Sequence, residues 1–529
     1  MVTGWRAIVT ADRSAGILRL FGRVRDYDWG SPTAIYDLLG EDPSGRPAAE
    51  LWLGTHPGAP SETESSAGGR RQPAEDAVGR LPFLLKVLAA ERALSLQVHP
   101  DRAQARAGFD SEERAGVPPQ APWRRYLDRN HKPELIVALT PFRALAGIRD
   151  PRHTLRVVRA LGHPPLTAAF EPLRADPAAG AATVLRTLLT MPAHQGRGLV
   201  AGTVGAATVI AARAAAGAAA TGTAAAGTAA TGATTAVTAD VATDVAAAAD
   251  LVVQLAAAHP GDVGVAAALL LNDVLLQPGE ALFQPARLLH AYVHGVGIEI
   301  MATSDNVLRG GLTSKHVDVD ELLRVLDPTP TRAPVLTPRT VGGTAGIIVR
   351  AWDVPVDDFA LTEAICGWTA PAGSASHDST SGGNVFRGGT LGASVSRGSA
   401  PGRNVSGGGV PSGSAPGRNT RGGNVRDANA PGGAVTIRRP AILLVTDGAV
   451  TVEGAGIPSM GLRRGQAAVV PPASALAPNR APTAGGVSTA GGVSAVGEAM
   501  TADRALTLNL WGRGRVFIAS PGSRTPPPP

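Results

Sequence analysis

Hydrophobic and polar positions change their rhythm along this chain. From Gly22 to about Ile148 the apolar runs are short and broken by Gly, Pro and Asp, as in PFLLKVLAA, ALSLQVHP and PELIVALT. Runs of that length between turn residues predict strands. From Asp150 to about Ala268 the spacing becomes helical, in PRHTLRVVRALG and AAAADLVVQLAAAH. Strand-length runs return from Leu269 to about Leu326, and DVDELLRVLD closes that part as a short helix. From Pro334 a further β region opens with GIIVRAWDVPVDDFALTEAI and resumes at AVTIRRPAILLVTDGAVTVEG.

Three segments break the pattern. Ala214–Asp244 is Ala-rich, but recurring Gly and Thr weaken alanine's helix preference, so a ragged or disordered insert is expected. From Ala372 to Gly433 the chain is rich in Gly, Ser, Asn and Arg and repeats itself, with GSAPGRN at Gly398–Asn404 and again at Gly413–Asn419. TAGGVSTAGGVS is a third such tract. Segments like these bury too little apolar surface to offset their chain entropy. They are expected to be loop expansions within otherwise shorter domains.

At 529 residues the chain exceeds what one core can serve. The rhythm divides it at residues 1–149, 150–268, 269–330 and 331–529. Its net charge of +6 rests on scattered Arg, with no basic helix and no aromatic-interleaved basic strand, so no nucleic-acid partner is expected. The lone Cys366 excludes an internal disulfide and any cysteine-based metal cluster. MVTGWRAIVTADRS lacks a run of signal-peptide type. The Ala-rich stretch after Gly198 carries Arg213 and reads as too weakly hydrophobic for a membrane span. A soluble, cytoplasmic, monomeric protein is expected, with no membrane partner.

The chemistry concentrates on three strand segments. In LSLQVHP, Leu94, Leu96 and Val98 point one way and Ser95, Gln97 and His99 the other. In QPGEALFQPARLLHAY, a turn at Pro278-Gly279 joins two strands that lead to His290, the spacing of a hairpin in a small β-barrel. His290 and Tyr292 face one way there, Ala291 and Val293 the other. His290 and His294 make no metal pair, because an i,i+4 spacing brings side chains together on helices and not on strands. In HKPELIVALT, Glu134 opens an apolar strand, and a carboxylate facing a barrel interior needs a partner. Taken singly, each residue also reads as an ordinary strand His, Gln or Glu. Together, Gln97, His99, Glu134 and His290 suit zinc or another borderline divalent ion with an open position.

The blocks YDWGS, AELWLGTHPGAPS, PFLLKVLAAERALSLQVHPD, NHKPELIVAL, PGEALF, HAY and EIMATSDNVLRGGLTSKHVD resemble type I mannose-6-phosphate isomerases. The resemblance spans roughly Leu20 to Asp327 and is weaker beyond. It implies a mainly β fold of cupin type: a metal-binding barrel made in two parts, an α-helical domain between them, and a C-terminal barrel. It places the zinc ligands on Gln97, His99, Glu134 and His290, one ion per chain, and the catalytic arginine on Arg309. It implies the interconversion of mannose 6-phosphate and fructose 6-phosphate, a proton moving from carbon two to carbon one through a cis-enediol. Lys86, Lys132, Tyr292, Glu299 and Lys315 are candidate substrate contacts. Glu299 and Lys132 are the candidate bases, while Lys86, Arg309 and Lys315 are the candidate phosphate anchors. Trp29 and Trp52 are candidate walls. The chain has Arg287 and Leu289 where the family commonly has Gly or Asn and Pro, on the turn into His290. Two other readings stand beside this one. Two His and a carboxylate also describe an iron oxygenase of cupin type, and a sugar-phosphate-binding cupin need not be an enzyme.

Because loop length adds chain entropy only slowly, replacing residues 372–433 by a short Gly-Ser loop should leave turnover within a few-fold. Steady-state kinetics of the shortened chain check this, and a large loss in a folded variant would refute it.

Overall fold

Alternation along the strands decides what each face of the β structure covers. The computed structural model describes residues 16–64, 69–222, 233–344, 346–368, 432–454, 457–472 and 505–522, all within one unit. Their strands pair antiparallel into two sheets, each of eleven strands. The expected expansion at 372–433 lies almost wholly outside the described residues.

The first sheet is organised around the strand His290–Ala302. Its first half pairs with Phe142–Ile148 and with Gln97. Its second half pairs with Phe83–Ala90 on one side and Glu134–Ala138 on the other. Side chains from alternate positions, including Leu88, Ala90, Ile136, Ala138, Ala144 and Tyr292, enclose one apolar cluster. The opposite face is covered twice. Leu85, Val87, Leu135, Val137, Ile298 and Ile300 pack against the second sheet, on Ile442, Leu444, Val469 and Phe517. Leu96, Val98, Leu145, Ala291 and Val293 pack instead beneath the helices. Leu96 and Val98 of LSLQVHP therefore face the helices, whereas Leu94, expected on their side, precedes the strand Gln97–Val98 and packs against the interior cluster.

The second sheet encloses its own cluster, with Val349, Ala364, Leu443, Val445, Val516 and Ile518. It also takes strands from the start of the chain. Leu18–Phe21 pairs with Ala467–Val470 and with Glu62–Glu64. Residues 1–149 thus do not all serve the first sheet, a difference from the division expected above. The polar partners of these short strands carry no signal of which sheet they join.

The helical part runs from Pro151–Ala160 to Gly264–Ala267. Asp150 and Asp176 cap two of its helices, each accepting from two backbone N–H groups. The described ends of the Ala-rich insert, 214–222 and 233–244, are helical as parts of Ala193–Gly222 and Ala233–Ala258, and 223–232 lie outside the described residues. The packed ends of those two helices, through Leu199, Val200, Val252 and Leu255, add tertiary burial to a weak local preference. The stretch Ala193–Ala216 is long and apolar enough to cross a membrane by length and composition, contrary to the reading above. Its buried residues here belong to the helical core. A further helix within the β-rich part, Arg102–Arg114, opens on a reciprocal capping box of Asp101 and Gln104. The D-x-x-Q spacing was the signal that would have found it.

The central strand changes partners at Gly295, where φ is +128°. A β-bulge precedes it, between Tyr292 and His294. A Cβ at Gly295 would lie 2.8 Å from both Phe142 Cδ2 and Pro141 O. Gly295→Ala should therefore destabilise the fold by about 2–4 kcal/mol. A denaturant midpoint unchanged from the parent would contradict this.

Candidate metal centre

Three strand ends deliver their polar residues to one point. His99 follows the two-residue strand Gln97–Val98, Glu134 opens its strand, and His290 opens the central one. All three are buried, at 1, 4 and 3% exposure. Glu134 Oε1 lies 3.4 Å from His99 Nε2, and Oε2 lies 3.4 Å from His290 Nε2. The three donor atoms lie within 4.8 Å of one another.

The second nitrogen of each ring fixes its role. His99 Nδ1 lies 2.8 Å from the carbonyl of Asn306, and His290 Nδ1 lies 2.9 Å from that of Leu288. A carbonyl only accepts, so both Nδ1 atoms carry the proton. Both Nε2 lone pairs then face the carboxylate, and His99 Nε2 has no hydrogen-bond partner. Lone pairs facing a carboxylate repel unless a cation stands between them. Ligands about 2.0–2.1 Å from a tetrahedral ion lie roughly 3.4 Å apart, which is the separation observed. Backbone carbonyls holding the outer ring nitrogens are the usual support of metal-binding imidazoles. The donor set fits a divalent cation. Gln97 is in register with His290 on one side and Arg309 on the other, and residues directly opposite in a sheet share a face.

Electrostatics agree with that geometry. Burial pushes the His99 imidazole down to about 4, despite the opposing pull of Glu134. Glu134 lies well below the carboxylate range: burial opposes this, but the Lys132 ammonium beside it is the main influence that outweighs it. Lys132 Nζ is 3.1 Å from Glu134 Oε1. The neighbouring His131 donates from Nε2 to Asp358 at 2.8 Å, and Asp358 also accepts from Arg102 at 2.6 Å.

Beside this cluster runs a second buried network. Lys86 Nζ donates to Glu299 at 2.8 Å and to Glu50 at 3.3 Å, and Glu50 accepts from Trp52 Nε1 at 2.8 Å. Tyr292 donates to Glu299 at 2.8 Å. Burial works against the Lys86 charge, but Glu299 and Glu50 hold it above the ordinary lysine value. Burial raises Glu299, with Lys86 opposing, and burial together with Glu299 raises Tyr292. Lys86 is thus enclosed between two carboxylates inside the barrel, while Lys315 is exposed. Trp52 packs at the edge of His56, and Trp29 packs against the interior cluster.

Arg309 lies outside the central strand, although NVLRGG follows closely on it in sequence. That strand stops at Ala302, and Arg309 sits in a separate two-residue strand, Leu308–Arg309, paired with Gln97–Val98. Its guanidinium has no ion pair among the described residues, and burial lowers it from its ordinary value. Lys315 is lowered by partial burial and then by the charge of Arg309. The charge of Arg309 thus reaches Lys315, and neither cation has an ion-pair partner among the described residues.

Sequence reading missed Glu50, His56 and Asp305. His56 Nδ1 accepts from Gly58 N at 3.1 Å, which leaves Nε2 to donate to Asp305 at 3.4 Å. Burial opposes a low Asp305 value, but His56, Lys132 and Lys86 lower it. The residues lay inside AELWLGTHPGAPS and ATSDNVLRGG, without a spacing of their own to mark them.

Arg287 adopts φ +71°, in the left-handed region that Gly and Asn tolerate. Its N–H donates to the carbonyl of His99 at 2.7 Å and its Nε to that of Val325 at 3.1 Å. The turn into His290 thus keeps its shape with an arginine in it.

Residues 17–151 match the family model described as phosphomannose isomerase type I, catalytic domain. Mannose-6-phosphate isomerase of Escherichia coli K12 is 34% identical over 361 residues, spanning 65% of this chain and 82% of that protein. The enzyme of Cryptococcus neoformans is 30% identical over 402 residues, spanning 66% and 83%. Among solved structures, zinc-bound mannose 6-phosphate isomerase superposes with a TM-score of 0.64 at 24% identity, covering 96% of this chain and all of that one. A phosphomannose isomerase variant from Salmonella typhimurium gives the same score and coverage. That likeness establishes a fold of cupin type.

His99 supplies a pH test of the metal-free chain. Its imidazole takes up a proton near pH 6.5 when unfolded but only near 4 when folded. The stabilisation is full above the unfolded value and fades as pH falls toward 4, by up to about 3 kcal/mol. Melting of metal-free protein from pH 7 to 4 should show this slope, and His99→Gln should flatten it. An equal slope in both would show that His99 is not its source.

Proposed function

The chain belongs to the type I mannose-6-phosphate isomerase family, and from that premise we propose that it interconverts mannose 6-phosphate and fructose 6-phosphate with one zinc ion bound at His99, Glu134, His290 and Gln97. The single observation that carries the zinc reading is the pair of inward Nε2 lone pairs held against one buried carboxylate. When bound, zinc supplies a Lewis acid for the sugar oxygens at carbons one and two.

The chain's own residues supply the rest. Arg309 stays cationic at any working pH and stabilises the oxyanion that develops as the cis-enediol forms. With Lys315 it also attracts the phosphate, since neither cation has an ion-pair partner among the described residues. Glu299 and Lys132 are the two candidates for carrying the proton between carbon two and carbon one. Tyr292 and Lys86 hold Glu299 in place, its two oxygens engaged by a hydroxyl and an ammonium. The same reading divides the chain into a metal-binding barrel at 1–149 and 269–330, a helical domain at 150–268 and a C-terminal barrel at 331–529. The first of these lends its opening strand to the last.

A coupled isomerase assay on metal-free and zinc-restored protein tests the reading, with activity expected only after zinc is returned. His99→Ala should lose stoichiometric zinc and remain folded. Arg309→Ala should keep its zinc and lose at least about a hundredfold in kcat, a loss of about 2.7 kcal/mol in transition-state stabilisation, with a far smaller rise in KM because Lys315 still draws the phosphate. Near-normal kcat with a raised KM would make Arg309 a binding contact only.

A further inference from the structure

The loop that carries Lys315 does not hold its own shape. Leu312 sits in it at φ +53°, a left-handed conformation that costs a leucine free energy and persists only where its surroundings enforce it. The enforcing contacts come from the helical domain. The turn after the helix Ala233–Ala258 brings Gly264 against this loop so closely that a Cβ on Gly264 would lie 2.5 Å from Leu312 N. A Cβ on Gly311 would lie 2.8 Å from Gly264 Cα.

Asp262 joins the two backbones. One carboxylate oxygen accepts from Gly264 N at 2.7 Å and the other from Thr313 N at 2.9 Å. Thr313 Oγ1 in turn accepts from Lys315 N at 3.1 Å. No cation pairs with Asp262 among the described residues, so its charge is spent on these amides. Arg309 is anchored differently. Gly310 N donates to Leu96 O at 2.8 Å, and Leu96 N donates to Gly311 O at 3.1 Å. The near end of the loop is thus tied to the metal-ligand segment, and the far end is tied to the helices.

We propose that Asp262 is a positioning residue for substrate binding: through Thr313 it sets where Lys315 stands relative to Arg309, and so lets the helical domain govern affinity for the sugar's phosphate. The inference rests on the reading above in which Lys315 and Arg309 attract that phosphate. It separates the two ends of the loop, so loss of Asp262 should weaken binding more than turnover.

The test uses the zinc-loaded full chain, with mannose 6-phosphate as substrate and inorganic phosphate as competing probe. Asp262→Ala should raise KM and the phosphate inhibition constant about tenfold, with kcat changed less than about threefold and zinc unchanged. Asp262→Asn retains one acceptor oxygen and should show a smaller rise, which keeps the test available if the alanine variant misfolds. In a Lys315→Ala background, Asp262→Asn should raise KM no further, because the group it positions is gone. Unchanged phosphate inhibition in folded Asp262→Ala, or effects of Asp262 and Lys315 that simply multiply, would overturn the positioning role. Lys315→Ala alone reports on the underlying reading. If it leaves phosphate inhibition intact, the anchor assignment falls and the positioning role with it. If it weakens inhibition while Asp262→Ala does not, only the positioning role falls.

Discussion

A carboxylate cannot be buried in an apolar barrel without charge to answer it. Glu134, at 4% exposure, imposes that demand on this fold. Lys132 answers one oxygen, and the two imidazoles bring lone pairs where a cation belongs. Each imidazole is turned by a backbone carbonyl, from Asn306 and from Leu288. The segments around residues 99, 134, 290 and 306 are therefore mutually fixed. A shift in any one would leave a buried charge with the wrong neighbour.

The same demand recurs in the second network. Glu50 and Glu299 share the Lys86 ammonium, and Tyr292 completes Glu299. Glu134 repels Glu299 and attracts Lys86 through the same interior. The barrel interior is thus half apolar filling and half a compensated set of charges. The apolar half gives it stability through burial. The charged half gives it direction, because hydrogen-bonded charges hold their angles where apolar contacts do not.

Support for this interior comes from outside it. The second sheet covers one part of the first sheet's outer face, and the helices cover the other. Asp358, from the loop before Ala360–Trp368, fixes His131 beside Lys132. Asp262, from the end of the helical part, fixes the loop that presents Lys315. Parts of the chain that supply no candidate ligand still decide where the polar groups stand.

Much of this was legible in the residues themselves. Strand alternation put Leu96 and Val98 on one side and Gln97 and His99 on the other. It did the same for Ala291 and Val293 against His290 and Tyr292, because the side-chain period of a strand is two. The family blocks pointed to the fold and the reaction. Other features needed the tertiary structure. Alternation with the apolar Ile298 and Ile300 turns Glu299 to the pocket side, but period two carried unbroken from His290 would put it on the opposite face. The bulge before Gly295 adds a residue and turns it inward, beside Lys86. Helix preference alone would leave the Ala-rich insert ragged, yet its described ends continue helices that are anchored beyond it through Leu199, Val252 and their neighbours. The joining of Leu18–Phe21 to the second sheet and the seat of Arg309 beside Gln97 depend on partners hundreds of residues away. Local sequence sets which face of an element is apolar; which surface meets that face, and where the register slips, is set by long-range pairing that no local period encodes.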